Sequence, residues 1–104
     1  MKRFSIAQGY SSGFDTLGRT DNSQAATLVV QPQTKTGGPE NRHTGSDQWI
    51  YVIAGAGRAL IEGREAHLEA GTILLVDAGE SHEILCLGDD PLVMFTVFSP
   101  PIPH

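Results

Sequence analysis

Cysteine is all but absent: Cys86 stands alone in 104 residues, so no internal disulfide framework can form, and the chain suits a reducing compartment. Basic residues are scarce as well. Seven Lys and Arg against twelve Asp and Glu leave a formal net charge of -5, which argues against the basic footprint that nucleic-acid binding requires. No apolar run approaches bilayer-spanning length, and Lys2 and Arg3 lead into no continuous apolar core, so neither a membrane span nor a secretory leader is expected. The expected setting is the cytoplasm, with no nucleic acid and no membrane as partner. Helical periodicity and long-period internal repeats are missing too.

What the sequence does hold is punctuation. Twelve glycines and six prolines break a mostly apolar and neutral chain into short segments, as expected of many strands joined by tight turns. At this length the chain forms one domain, small enough that oligomerisation would help to stabilise it. Residues 1–24 have no periodicity and read as an N-terminal extension that tucks Phe4, Tyr10 and Phe14 against the domain or a partner, or forms a short edge strand. Residues 25–104 read as the domain proper. Ala25 to Gln31 is the first convincing strand, ended by Pro32, and Gln33 to Gly45 is polar and reads as a loop. Strands then follow at Gln48 to Ala54, Arg58 to Ile61, Arg64 to Leu68, Thr72 to Val76, the segment after Gly79, and Leu92 to Phe98, with Glu62-Gly63 as a two-residue hairpin turn. About eight short antiparallel strands imply a sandwich or barrel, for which a jelly roll is one standard solution.

Alternation along Gln48–Ala54 puts Gln48, Ile50, Val52 and Ala54 on one face and Trp49, Tyr51 and Ile53 on the other. Both faces are largely apolar, so the one that does not line the core needs a cover. A homodimer contact or the N-terminal segment would supply it.

The stretch from Gly71 to Cys86, G-T-I-L-L-V-D-A-G-E-S-H-E-I-L-C, is a strand, a tight turn at Asp77-Ala78-Gly79 and a second strand. His82, three residues past the turn, falls at the mouth of that second strand as a potential metal ligand. This stretch resembles the second motif of the cupin superfamily, with Gly71, Gly79 and His82 in register, Asp77 in place of the usual proline and Cys86 in place of the asparagine. Upstream, R-H-T-G-S-D-Q-W-I-Y-V-I-A-G-A-G resembles the first cupin motif and the strand and hairpin that follow it in small single-domain cupins. With Gly55 as the closing glycine, Gln48 takes the glutamate position, His43 the second histidine position and Asn41 the first; Lys35 stands where the opening glycine would be, with Gly37 and Gly38 nearby.

The resemblance implies an all-β antiparallel jelly-roll barrel, a double-stranded β-helix, whose ligands converge from both motifs near one mouth. It implies a divalent transition metal (Fe, Mn, Ni, Co or Zn) held by His43 and His82 with Gln48 and Asn41, and a small-molecule ligand or substrate. Neutral amide oxygens hold such an ion more weakly than a carboxylate does. Two functions follow: a metal-dependent dioxygenase, isomerase or lyase, or a non-catalytic, metal-free binding or sensing module using the same pocket. With Gln48 in the glutamate position, proton-transfer chemistries lose their general base. Elsewhere Cys86 reads as a buried inert thiol, His67 as a surface residue, Met94, Phe95 and Phe98 as packing, and Asp47 and Arg42 as either orienting the ligands or pairing on the rim.

Overall fold

The computed structural model describes residues 1–6 and 11–102, with the backbone alone at 39–42. Tyr10 and His104 lie outside the described residues, as do the side chains of Asn41 and Arg42. The described residues form nine strands: β1 (Gly13–Arg19), β2 (Gln24–Val30), β3 (Lys35–Arg42), β4 (Asp47–Ala54), β5 (Ala56–Ile61), β6 (Arg64–Glu69), β7 (Ile73–Val76), β8 (Ser81–Cys86) and β9 (Leu92–Ser99). There is no helix among the described residues. All pairings are antiparallel, in a five-stranded sheet of order β1-β2-β9-β4-β7 and a four-stranded sheet of order β3-β8-β5-β6. This is the expected all-β jelly-roll barrel.

The strands follow the apolar segments within a residue or two. Between β5 and β6, Ile61 pairs with Arg64 and both turn residues have positive φ, 49° at Glu62 and 77° at Gly63. That mirror-image turn matches the right-handed twist of its strands. The core lies between the sheets and includes Leu28, Val30, Ile50, Val52, Leu68, Ile84, Leu92 and Met94. At the end of β4 the chain passes so close to its neighbour that a Cβ on Gly55, which has φ of 93°, would sit 2.5 Å from the Pro91 carbonyl oxygen.

One segment departs from the sequence reading. The expected loop over Gln33–Gly45 contains β3, because Lys35, Thr36, Gly37 and Gly38 pair with Leu85, Ile84, Glu83 and His82 of β8. A ladder supplied by a distant strand outweighs a glycine- and proline-rich local composition, and the register shifts between Gly38 and Arg42, around Pro39. The aperiodic N-terminal stretch holds the short edge strand that the sequence allowed: Gly13–Arg19 forms β1 on β2. Phe4 lies over Gly18 on β1 and Phe14 packs edge-on against Phe98, each staying about half exposed.

The alternation read along β4 is observed as far as Val52: Gln48, Ile50 and Val52 are buried, while Trp49 and Tyr51 are 49% and 44% exposed; beyond it the register shifts, and Ala54, read with the buried set, is exposed while Ile53 is partly buried. On β7, Leu75 faces Trp49 and Ile73 faces Tyr51, at 36% and 66% exposure. The outer side of the other sheet is charged, with Arg58 on Glu65 at 3.0 Å and Lys35 near Glu83 at 3.7 Å. Cys86 is buried, its thiol donating to the Asp90 carbonyl at 3.2 Å, and His67 is exposed beside Glu69.

Candidate functional site

Two backbone regions distant in sequence are tied together at one end of the barrel. The β7–β8 turn closes on itself where the Glu80 amide donates to the Asp77 carbonyl and the Glu80 carboxylate accepts from the Asp77 amide. Gly79, at φ of 87°, then aims its amide at the His43 carbonyl, 3.0 Å away, and the Ala78 amide donates to the Asp47 carboxylate at 2.9 Å. The turn is thus pinned to the segment that precedes β4. His82, at the start of β8, and His43, just past the end of β3, consequently face each other with ring centroids 5.0 Å apart and planes tilted by 38°. Asp47 serves this docking through its carboxylate, while the Arg42 side chain lies outside the described residues.

A cavity of about 180 Å³ opens at this mouth. Leu28, Ile84, Phe98 and Ile102 form apolar walls, Phe14 contributes from β1, and Thr36, His43, Gln48 and His82 supply the polar groups. Phe98 meets His43 edge to face at 5.0 Å and Phe14 at 5.9 Å. Burial pushes both imidazoles below the ordinary histidine pKa. At His43 the neighbouring His82 pushes further in the same direction, whereas at His82 a hydrogen bond with the Glu80 backbone pulls partly back. Both rings therefore favour the neutral form, which can bind a metal or exchange hydrogen bonds with an organic ligand.

Gln48 is 3% exposed, and its Nε2 donates to Thr96 Oγ1 at 3.0 Å. Thr96, fully buried on β9, donates its own proton to the Trp49 carbonyl at 2.8 Å. Gln48 Oε1 is left with no hydrogen-bond partner among the described residues. Such an atom in an otherwise well-bonded core calls for a functional explanation.

The structure brings together three of the four expected ligands, His43, Gln48 and His82; the fourth, Asn41, has its backbone in β3 and its side chain outside the described residues. Sequence reading missed Thr36, Thr96, Phe14 and Ile102. Thr96 carried a faint signal, as a hydroxyl between Phe95 and Val97 on an apolar strand. A divalent ion would meet two neutral imidazoles and an amide oxygen here, with no carboxylate among the described lining residues to offset its charge. No group of three or more His, Cys, Asp or Glu suited to a metal occurs among the described residues. The donor types suit a transition ion, but the set falls short in number and charge, so no chemical step is derived through a metal.

The paired sheets and the mouth cavity, with ligand-type residues drawn from two separate turns, define a double-stranded β-helix barrel. Residues 26–98 match the family model described as the cupin domain, and the chain belongs to that family. The BH2720 protein of Bacillus halodurans is similar in structure, with TM-score 0.81 and 23% identity over 89% of this chain and 74% of that one. An uncharacterised conserved protein with a double-stranded β-helix domain from Klebsiella pneumoniae subsp. pneumoniae has TM-score 0.81 and 20% identity, covering 96% and 90%. A predicted oxalate decarboxylase from Thermotoga maritima has TM-score 0.70 and 25% identity, covering 78% and 69%. No sequence among curated proteins matches.

Proposed function

We propose that this cupin binds a small organic molecule in the mouth cavity, gripping it between the neutral imidazoles of His43 and His82 and requiring no resident metal. The observation that carries this reading is the convergence of two imidazoles and one amide oxygen, without a partner among the described residues, on a cavity whose remaining walls are mainly apolar. The volume supports a ligand about the size of a single ring, since a wholly apolar cavity of about 150 Å³ takes up benzene. Oxalate is not carried over from the Thermotoga neighbour, because the described lining holds no Lys or Arg to meet a carboxylate. Thermal-shift screening of a metabolite panel, with His82→Ala as control, tests the reading. A ligand that stabilises the wild type, loses its effect on the variant and is recovered unconsumed is the expected result. If no compound stabilises the wild type, the reading fails.

A second reading, a divalent ion held by His43, His82 and Gln48 with Asn41 in a dioxygenase, isomerase or lyase, is favoured by the 5.0 Å approach of two imidazoles biased to the ligating form. Metal analysis of protein purified without chelator decides it. Stoichiometric Fe, Mn, Ni, Co or Zn that disappears in His82→Ala supports it, and a wild-type site that also ignores added metal eliminates it.

The outer face of the five-stranded sheet supports a homodimer. Trp49, Tyr51, Ile73 and Leu75 together expose the equivalent of about two large side chains, roughly 400 Å². That is on the scale of the largest patches tolerated by monomers and of the apolar part of one side of a standard interface. The cross-strand pairs carry no charge, so the face meets a second copy of itself without repulsion in an isologous contact, whereas the charged outer side of the other sheet would not. Light scattering should give a two-subunit mass that halves in Trp49→Arg; a one-subunit mass for the wild type removes the proposal. The lone buried thiol fits a cytoplasmic setting.

A further inference from the structure

We infer that Gln48 is a fixed hydrogen-bond acceptor for the ligand, locked in that role by Thr96, so that the cavity selects ring-sized molecules presenting an O–H or N–H donor at its wall. This rests on the first of the two readings above. A threonine hydroxyl has a single proton, and that of Thr96 is given to the Trp49 carbonyl at 2.8 Å. Toward Gln48 the same oxygen can therefore only accept. The amide must present Nε2 to it, as found at 3.0 Å, because the opposite orientation would set two oxygens together with no proton between them. Oε1 is in consequence directed away from Thr96. It belongs to a side chain that lines the cavity, in a residue only 3% exposed, and has no partner among the described residues.

Two other described polar groups of the cavity are adaptable. A neutral imidazole has one N–H and one bare nitrogen and can exchange them between tautomers, so His43 can meet a donor or an acceptor. The Thr36 hydroxyl has the same freedom. His82 is constrained by its hydrogen bond with the Glu80 backbone, and Gln48 Oε1 is fixed as an acceptor by a separate contact, that of its amide with Thr96. A ligand that brings a donor to such an oxygen satisfies a buried acceptor, and one that brings none leaves it unsatisfied. Selectivity at this wall thus comes from a three-member chain, the Trp49 carbonyl, the Thr96 hydroxyl and the Gln48 amide, of which only the last faces the ligand.

The test uses phenol and anisole, two probes that share a ring and differ in whether the oxygen carries a proton, titrated into the full chain by NMR or calorimetry. Wild type should bind phenol about tenfold more tightly than anisole, the ratio expected of one buried hydrogen bond. Thr96→Val, which keeps the side-chain shape and frees the amide to turn over, should bring the two affinities within about threefold. Thr96→Ser should restore the preference, and because the wild-type comparison needs no variant, a Thr96→Val chain that fails to fold leaves the test intact. Equal affinity of the two probes for wild type, or a full preference retained in folded Thr96→Val, overturns the inference while the binding reading stands. Failure of both probes to bind wild type overturns the two together.

Discussion

The contact between Asp47 and the Ala78 amide is among the bonds that hold the β7–β8 turn against His43 and the start of β4, and so hold His82 opposite His43. Asp47→Ala removes it. A hydrogen bond to a carboxylate contributes about 1.5–3 kcal/mol when sheltered. This one is exposed, water competes for both partners, and the expected loss is about 1 kcal/mol. In a domain of this size that lowers Tm by about 4–8 °C. Asp47→Asn, which keeps an oxygen acceptor and loses the charge, should fall about halfway between. The control is Asp77→Asn, since Asp77 joins the same turn through its backbone amide and carbonyl and its substitution should change stability by less than about 0.5 kcal/mol. Thermal denaturation of the four proteins followed by circular dichroism gives the values, and titration with the phenol probe should show weaker binding by Asp47→Ala. A Tm for Asp47→Ala equal to that of Asp77→Asn would refute the claim that this contact docks the two halves of the site.

Three further outcomes follow from other parts of the molecule. His43 and His82 both have folded-state pKa values below the unfolded value, so the unfolded chain binds more protons as the solution is acidified. Their contribution to stability should be fully present above the unfolded histidine pKa, about 6.5, and be lost as pH falls through the folded values; replacing both by Gln should flatten Tm against pH in that window. Gly55→Ala should destabilise by about 2 kcal/mol or more, because its added Cβ would meet backbone of Pro91 and Leu92 and its φ is positive; a denaturant midpoint unchanged from wild type would contradict this. Ile84→Ala, at a fully buried wall of the cavity, should cost about 2–5 kcal/mol in denaturant unfolding and enlarge the space available to ligands, read as a gain in affinity for a bulkier phenol relative to phenol itself.

Nearest-neighbour chemistry was enough to write most of this barrel into the chain. Alternation along β4, the positive-φ turn at Glu62-Gly63, and the turn before His82 are local preferences, and each strand they mark lies within a residue or two of its sequence position. Of the residues that reach the mouth, His82 was legible for the same reason, three residues past a glycine turn, whereas His43 and Gln48 were picked out by their resemblance to the first cupin motif.

Tertiary structure decided what depends on a distant partner. Lys35–Arg42 is a strand because β8 offers it a ladder, although its own composition favours a loop. The two imidazoles lie 5.0 Å apart because one turn is pinned to the other, and they favour the neutral form because burial and, at His43, each other's field act on them there. Gln48 is a fixed acceptor only because Thr96, 48 residues away, has already given its proton to Trp49. Backbone preference travels a few residues along a chain; desolvation, mutual charge and the direction of a hydrogen bond exist only between groups that folding has brought together.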